Sequence, residues 1–458
     1  MEYLIVGNSA AAVGAIESIR RIDQESNLTV VSNEQEHIYS RPLIAHYLAG
    51  DVTADRMPYR PEKFYQQHRV KTMLGRTVTE VDPLAEQVCL EDGSYLKYDR
   101  LLLTTGSKVN VPPIAGCGYF EAVGIFQTYD DARQILNRLK KGKRAVVIGA
   151  GLIGLRAAYG LQEAGAEVYL IELLPRIASR VLDQRSSDMV HKHLEEGGIK
   201  VITSCAVQEI TGNNTDGVTG VTLKNGEIID CNIVIIATGV APNTTLAENT
   251  LIEVNLGIVV NPYFQTSFSN IFAAGDVAET YDIPRQSGMV NANWPNAYEQ
   301  GRYAGMCMAG KMQRYPGSVG MNSVSFYGIP VISMGLFDPE SEGVEGTEVK
   351  IRASEKNNIY QKLVFKNNRL QGAIFIGDIS YAGTVNDLIR KQNLVGIIKD
   401  SILEEKFQLY DYLRKKREAD MEGTVIEWPE SHSSGKRYEK SFNEKSWTER
   451  ELDKRVWR

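Results

Sequence analysis

Apolar residues fall into two textures along this chain. Up to about residue 317 they form short unbroken runs that end in small residues and lead into apolar positions at helical spacing. Beyond that point apolar and polar residues alternate at period two. The first texture occurs twice in full, as "EYLIVGNSAAAVGAIESIRRID" from residue 2 and "RAVVIGAGLIGLRAAYGLQEAG" from residue 144. Each is followed by a further apolar strand, "LTVVSNE" and "AEVYLIE", so each predicts a βαβ unit with a parallel sheet.

Later strands fit the same scheme. "YDRLLLTTGS" and "CNIVIIATGVAPN" each end in small residues, and "SNIFAAGDVAE" predicts one more buried strand stopping at Gly275 and Asp276. Because the first strand pattern resumes after the second unit, the second is expected to be inserted into the first. The expected division is residues 1–112 with 243–317, then 113–242, then 318–411. The last of these carries the alternating strands and a helical "YAGTVNDLIRKQ". Residues 412–458 read as a charged tail, unable to pack alone, that carries Trp428, Trp447 and Trp457. Aromatics on a polar arm suggest docking.

The two small-residue turns hold the first candidate chemistry. Gly149, Gly151 and Gly154 complete G-x-G-x-x-G between a strand and a helix, where backbone N–H groups can approach a pyrophosphate. Glu172 ends the next strand, placed to accept from a ribose 2′-OH and repel a 2′-phosphate, which favours NADH over NADPH; Arg176 nearby would soften that choice. The first turn has Gly7, Ser9 and Ala12 at the three positions, with Glu34 placed for a second ribose.

Composition narrows the partners. A net charge of −6 over 458 residues, with a pI near 5.7, offers no footprint for nucleic acid. Five scattered cysteines, Cys89, Cys117, Cys205, Cys231 and Cys307, form no C-x-x-C pair, so neither a local metal ligand set nor a redox disulfide is expected. "HKH" at residues 191–193 reads as solvated helix surface, since residues two apart share no face. No apolar run approaches the roughly 20 residues that span a bilayer, and the chain opens directly on a strand. A cytoplasmic protein is the expectation.

Together, the turns, "LLLTTGS", "IIATGVAPN" and "IFAAGDVAE" resemble the pyridine-nucleotide-dependent FAD oxidoreductases, the superfamily of glutathione reductase. The resemblance covers roughly residues 1–310. It implies an α/β fold of two Rossmann-like domains plus a C-terminal α+β interface domain, with FAD and NADH as cofactors. Asp276 falls on the aspartate that binds the FAD ribityl chain in that family. Thr105, Gly106, Gly239 and Gly275 fall on its other cofactor turns. "IYSRPLIAHYLAG" is similar to the flavin-side segment of rubredoxin reductases and oxygenase-coupled ferredoxin reductases, which puts Arg41 and Pro42 against FAD. Disulfide reductases and single-cysteine NADH oxidases carry cysteine there, and this chain has none. "NANWPNAYEQGRYAG" resembles the helix facing the flavin pyrimidine, with Trp294, Asn296 and Gln300 in that wall; packing of the helix is the plainer role for them.

In the ferredoxin-reductase-like members a lysine pairs with a glutamate beside the flavin and nicotinamide. Here His46 stands at the lysine and Arg156 at the glutamate, so both halves have changed. Either Arg156 faces outward or pairs with a local carboxylate, or the positive charge acts on the flavin and on how the nicotinamide sits. "LQGAIFIGDISYAGTVNDLI" resembles the corresponding passage of nitrite-reductase-type and NADH-oxidase-type relatives. The resemblance implies an NADH:acceptor oxidoreductase serving a small iron–sulfur or rubredoxin-type carrier, or an iron–sulfur subunit, in either direction of electron flow. A homodimer through the C-terminal domain is possible. Two other readings stay open: an NADH oxidase or small-acceptor reductase, and a flavin-binding assembly or signalling protein with little turnover.

Overall fold

The structure is a computed structural model that describes residues 1–404, except 119, 121–122, 141, 214–216, 397–398 and 400, together with residue 414. The three tail tryptophans lie outside the described residues. Eight α-helices occur among the described residues, in chain order α1 Ala10–Ile22, α2 Ile44–Ala49, α3 Phe64–Gln67, α4 Tyr129–Leu139, α5 Leu152–Glu163, α6 Gln184–Glu196, α7 Trp294–Met308 and α8 Ala382–Lys391.

Two five-stranded parallel sheets share one spatial layout, but the edge strand comes last along the chain in the first sheet and first in the second. The first runs Ile271–Ala273, Arg100–Leu103, Glu2–Val6, Asn27–Ser32, Lys71–Leu74, and the second Val123–Ile125, Ile233–Ile236, Arg144–Ile148, Glu167–Ile171, Lys200–Ile202. All their pairings are parallel. Their central strands are buried on both faces, which is why the sequence there is continuously apolar rather than alternating. Strand Ile271–Ala273 joins the first sheet after the whole second sheet has been laid down. The two crossings between the sheets, Ser107–Val109 and Val240–Pro242, lie side by side as an antiparallel pair.

The third five-stranded sheet is antiparallel, in the order Met321–Phe326, Ile329–Gly335, Arg369–Ile376, Ile359–Lys366, Thr347–Ser354, and the expected alternation holds only in its outer strands: Arg369–Ile376 and Ile359–Lys366 are buried residue after residue because both faces are covered. One face packs Leu363, Phe365 and Phe375 under Val385, Leu388 and Ile389 of α8. The opposite face puts Phe326, Val331, Tyr360 and Ile376 into the core of the second parallel unit, beside Ile177 and Leu182. The architecture is therefore α/β, two Rossmann-like units and a C-terminal α+β unit.

Beneath the first turn, α1 and α7 pack backbone to backbone. A side chain at Gly301 would place its Cβ 2.0 Å from the Ala11 carbonyl oxygen, and one at Gly14 would lie 2.2 Å from that of Tyr298.

Candidate functional site

In each parallel sheet the order reverses at the central strand, leaving a crevice at the strands' carboxyl ends. Both candidate turns sit there. Gly7 and Gly149 leave their strands at positive φ, +109° and +101°, and each lies against the neighbouring strand's end so closely that a Cβ would reach 2.2 Å from the Thr104 carbonyl oxygen or 2.5 Å from that of Ala237.

The helices behind the two turns begin without side-chain caps. Ser9 and Gly151 are the N-cap residues of α1 and α5 and neither makes a capping hydrogen bond, whereas Thr128, Asp183 and Asn293 cap α4, α6 and α7. Uncapped N–H groups at a helix start favour an anion. Gly151 adds an independent observation. Its φ of −72° suits any residue and a Cβ there would meet nothing within 4 Å, so neither backbone conformation nor packing asks for glycine. Open space in front of that backbone fits a bound pyrophosphate.

Around the first turn, Arg41 is the hub. Its guanidinium donates to Ser9 Oγ (3.4 Å), to the Gln127 carbonyl (3.0 Å) and to Glu34. Tyr39 donates its hydroxyl to the other oxygen of Glu34 and accepts from the Tyr129 N–H at 3.1 Å. Burial works against the Arg41 charge, yet Tyr39, Glu34 and Asp276 hold its pKa above the ordinary arginine value. Burial also pushes the Asp276 carboxyl up, with Arg41 opposing. Asp276 has no hydrogen-bond partner among the described residues. A half-buried carboxylate without a donor among the described residues, near enough to Arg41 to feel its charge, fits the hydroxyl-rich chain of FAD. Pro42 is the second residue of the 3-10 turn Arg41–Leu43 and stays exposed.

Several residues expected at the cofactors also make contacts within the protein. Thr105 spends its hydroxyl on the Asn243 carbonyl (2.7 Å), and Gly106 accepts from the Asn243 N–H, so this turn locks the two crossings together. Gly239 accepts from the Asn110 N–H on the same joint. Gln300 is buried and accepts from the Gly275 N–H at 2.8 Å; Asn296 is buried and donates to the Val319 carbonyl at 3.0 Å. Both serve the scaffold. Trp294, half-buried at the start of α7, meets Tyr59 edge to face with ring centres 5.0 Å apart. Ala12 is buried in the core under the first turn.

At the second turn Glu172, expected at a ribose, folds onto the turn's backbone, accepting from Ala150 N–H (2.7 Å) and Leu174 N–H (2.9 Å). Arg176 does not accompany it. Its guanidinium goes to Asp338 of the C-terminal unit, 3.2 Å away.

His46 and Arg156 lie on α2 and α5, which pack together, but each has its own partner. Arg156 donates to the Pro42 carbonyl at 2.6 Å rather than to a carboxylate. Burial lowers its pKa. His46 sits 3.1 Å from the Asp51 carboxylate on the exposed side of α2. Asp51 therefore offsets part of the positive charge expected here, a contribution that neither motif position reveals. His191 and His193 pair with Glu195 and Glu196 along α6. Sequence reasoning also passed over Tyr39, Tyr65, whose hydroxyl donates to Asn8 in the first turn at 2.7 Å, and Asp338. Tyr39 lay within the quoted segment; the other two lie far from any motif.

The comparisons agree with this geometry. Residues 1–301 match the family described as pyridine nucleotide-disulphide oxidoreductase, and residues 321–393 match the rubredoxin NAD+ reductase C-terminal domain. The chain is 33% identical over 393 residues to the nitrite reductase [NAD(P)H] of Bacillus subtilis, covering 85% of this chain and 47% of the relative, about half its length. It is 32% identical over 394 residues to the epsilon subunit of the NADH-dependent phenylglyoxylate dehydrogenase of Aromatoleum evansii, covering 85% of this chain and 92% of that subunit. Among solved structures, putidaredoxin reductase in its covalent complex with putidaredoxin superposes with a TM-score of 0.78 at 27% identity, over 86% of this chain and 94% of the other. Two uncapped turns at matching switch points, a half-buried aspartate near Arg41 and a match spanning residues 1–301 carry one conclusion: the chain belongs to the pyridine nucleotide-disulphide oxidoreductase family.

Proposed function

We propose that the chain is an FAD-dependent NADH:acceptor oxidoreductase that passes electrons to a small iron–sulfur or rubredoxin-type carrier, or to an iron–sulfur subunit of a larger complex. Residues 1–112 with 243–317 would hold FAD, and residues 113–242 would hold NADH. Ser9 and the start of α1 would take the flavin nucleotide's pyrophosphate, Glu34 its ribose, and Arg41 and Asp276 the chain between phosphate and ring. Gly151, Gly154 and the start of α5 would take the NADH pyrophosphate, with Glu172 on the adenosine ribose.

FAD, when bound, supplies the change from a two-electron hydride to two single-electron transfers. One NADH then yields NAD⁺ and a proton while two one-electron carriers are reduced. The observation that carries this reading is the absence of cysteine from the segment Ile38–Gly50. Of the five thiols, Cys231 and Cys307 are buried, and burial pushes the first up to about 12 and raises the second, which suppresses the thiolate a disulfide exchange needs. Electrons must then leave for an external acceptor. Kinship with one subunit of a larger dehydrogenase and with a reductase joined to its carrier supports a protein acceptor.

Anaerobic stopped-flow of the flavin-loaded protein with NADH, and separately NADPH, tests this. Fast bleaching by NADH followed by rapid reoxidation on adding a one-electron iron–sulfur protein is expected. Absence of bleaching by either nucleotide would sink the reading in favour of a flavin-binding assembly role, and reoxidation by air alone at the carrier's rate would favour an oxidase.

A further inference from the structure

A 2′-phosphate on the adenosine ribose needs a cation beside the end of the second strand, and this chain has one in the right loop. Arg176 lies four residues beyond Glu172, after the exposed pair Leu173 and Leu174. Yet its side chain turns toward the C-terminal unit. Arg176 Nη2 is 3.2 Å from Asp338 Oδ2 and 3.4 Å from the Ser179 carbonyl, and the two side chains of the ion pair are only 21% and 14% exposed.

We propose that Asp338 is a determinant of nucleotide choice: by holding Arg176 against the C-terminal unit it withholds that guanidinium from a 2′-phosphate. The proposal deepens the NADH reading above and rests on it. Discrimination would then have two layers, repulsion of the 2′-phosphate by Glu172 and removal of the cation that would attract it.

Two features make Arg176 a restrained group rather than a fixed strut. Its Nε–H is buried with no acceptor among the described residues, so the guanidinium fork is only partly satisfied where it lies. Asp338, in contrast, is held independently. Its carboxylate accepts from Ser341 Oγ at 2.7 Å, and the same loop is tied to the first unit by Glu342, whose two oxygens accept from Arg285 at 2.6 and 2.7 Å. Removing the Asp338 charge should therefore free Arg176 without dismantling the loop.

The test is binding of NAD⁺ and NADP⁺, by calorimetry on the full-length, FAD-loaded protein. In Asp338→Ala the ratio of the NADP⁺ to the NAD⁺ dissociation constant should fall about tenfold or more, with NAD⁺ affinity within about threefold of the parent. Adding Arg176→Gln should cancel that gain, and adding Glu172→Gln should extend it. Asp338→Asn, which keeps the side-chain volume, should act in the same direction and serves if the alanine variant folds poorly. An unchanged ratio in both Asp338 variants, or a gain that survives Arg176→Gln, overturns the proposal while leaving the NADH reading intact. A parent protein that binds neither nucleotide overturns both.

Discussion

The Lys362 ammonium meets the Asp183 carboxylate at 2.9 Å inside the protein, with side chains 9% and 11% exposed. The same aspartate caps α6 through Ser186 N–H and accepts from the Tyr360 hydroxyl at 2.6 Å. One side chain thus ends a loop of the second unit, starts its helix and fastens the third sheet to it.

Lys362→Met should leave that carboxylate partly uncompensated and cost about 3 kcal/mol. Thermal unfolding should show it as an earlier transition. Burial tends to raise the Asp183 pKa, but hydrogen bonds from Ser186, Tyr360 and Lys362 bring it below the ordinary 3.8. A folded pKa below the unfolded one contributes stability above about pH 3.8 that is lost as pH falls through the folded value. The gap in melting temperature between the parent and Asp183→Asn should therefore be widest near pH 7 and close only in strong acid.

Gly151 and Gly154 predict opposite outcomes from similar changes. Gly151→Val has room and an ordinary φ, so melting should stay within about 2 °C while NAD⁺ affinity falls tenfold or more, about 1.4 kcal/mol. A Cβ on Gly154 would lie 1.8 Å from the Gly149 carbonyl oxygen, so Gly154→Ala should lower melting by several degrees before any nucleotide is added. Equal effects on melting would contradict the open cradle.

Asp276→Asn should release flavin. Without FAD the variant should be more stable than the parent, because burial raises the Asp276 pKa and no described group donates to the carboxylate. The sign follows: a carboxyl with a raised folded pKa costs stability as pH climbs from about 3.8 through that raised value, and above it the cost is complete. Flavin fluorescence after dilution should show affinity weakened by at least tenfold, while apoprotein melting at pH 7 rises.

Gly301→Ala drives a methyl into the Ala11 carbonyl, 2.0 Å away, and should cost about 1–3 kcal/mol by prising α7 from α1. Since Gln300 on α7 holds the Gly275 N–H next to Asp276, the flavin spectrum should shift as well.

Much of the fold was legible because its strands are central and its turns are narrow. "YLIV", "AVVI" and "IVII" have no polar face to offer solvent, and Gly7 and Gly149 stand where the next strand's backbone passes too close for a Cβ. The site was legible where a motif fixes the backbone and illegible where a side chain chooses among distant partners. Glu172 could be placed by spacing, but Arg176 turns to Asp338, 162 residues away, and Arg156 to a carbonyl 114 residues away. Long flexible cations go where packing leaves an acceptor, and no local pattern records that.

The paired crossings Ser107–Val109 and Val240–Pro242 give the molecule a mechanical character. A body attached by two adjacent strands has one joint rather than two anchors, and on the near side its rotation is opposed by α2, which packs against α4 and α5, and by Arg156 on the Pro42 carbonyl. On the far side Asp183–Lys362 fastens the same body to the C-terminal unit. With the ribbon as its hinge, that body should swing only when both the α2 seam and the Asp183–Lys362 latch are released.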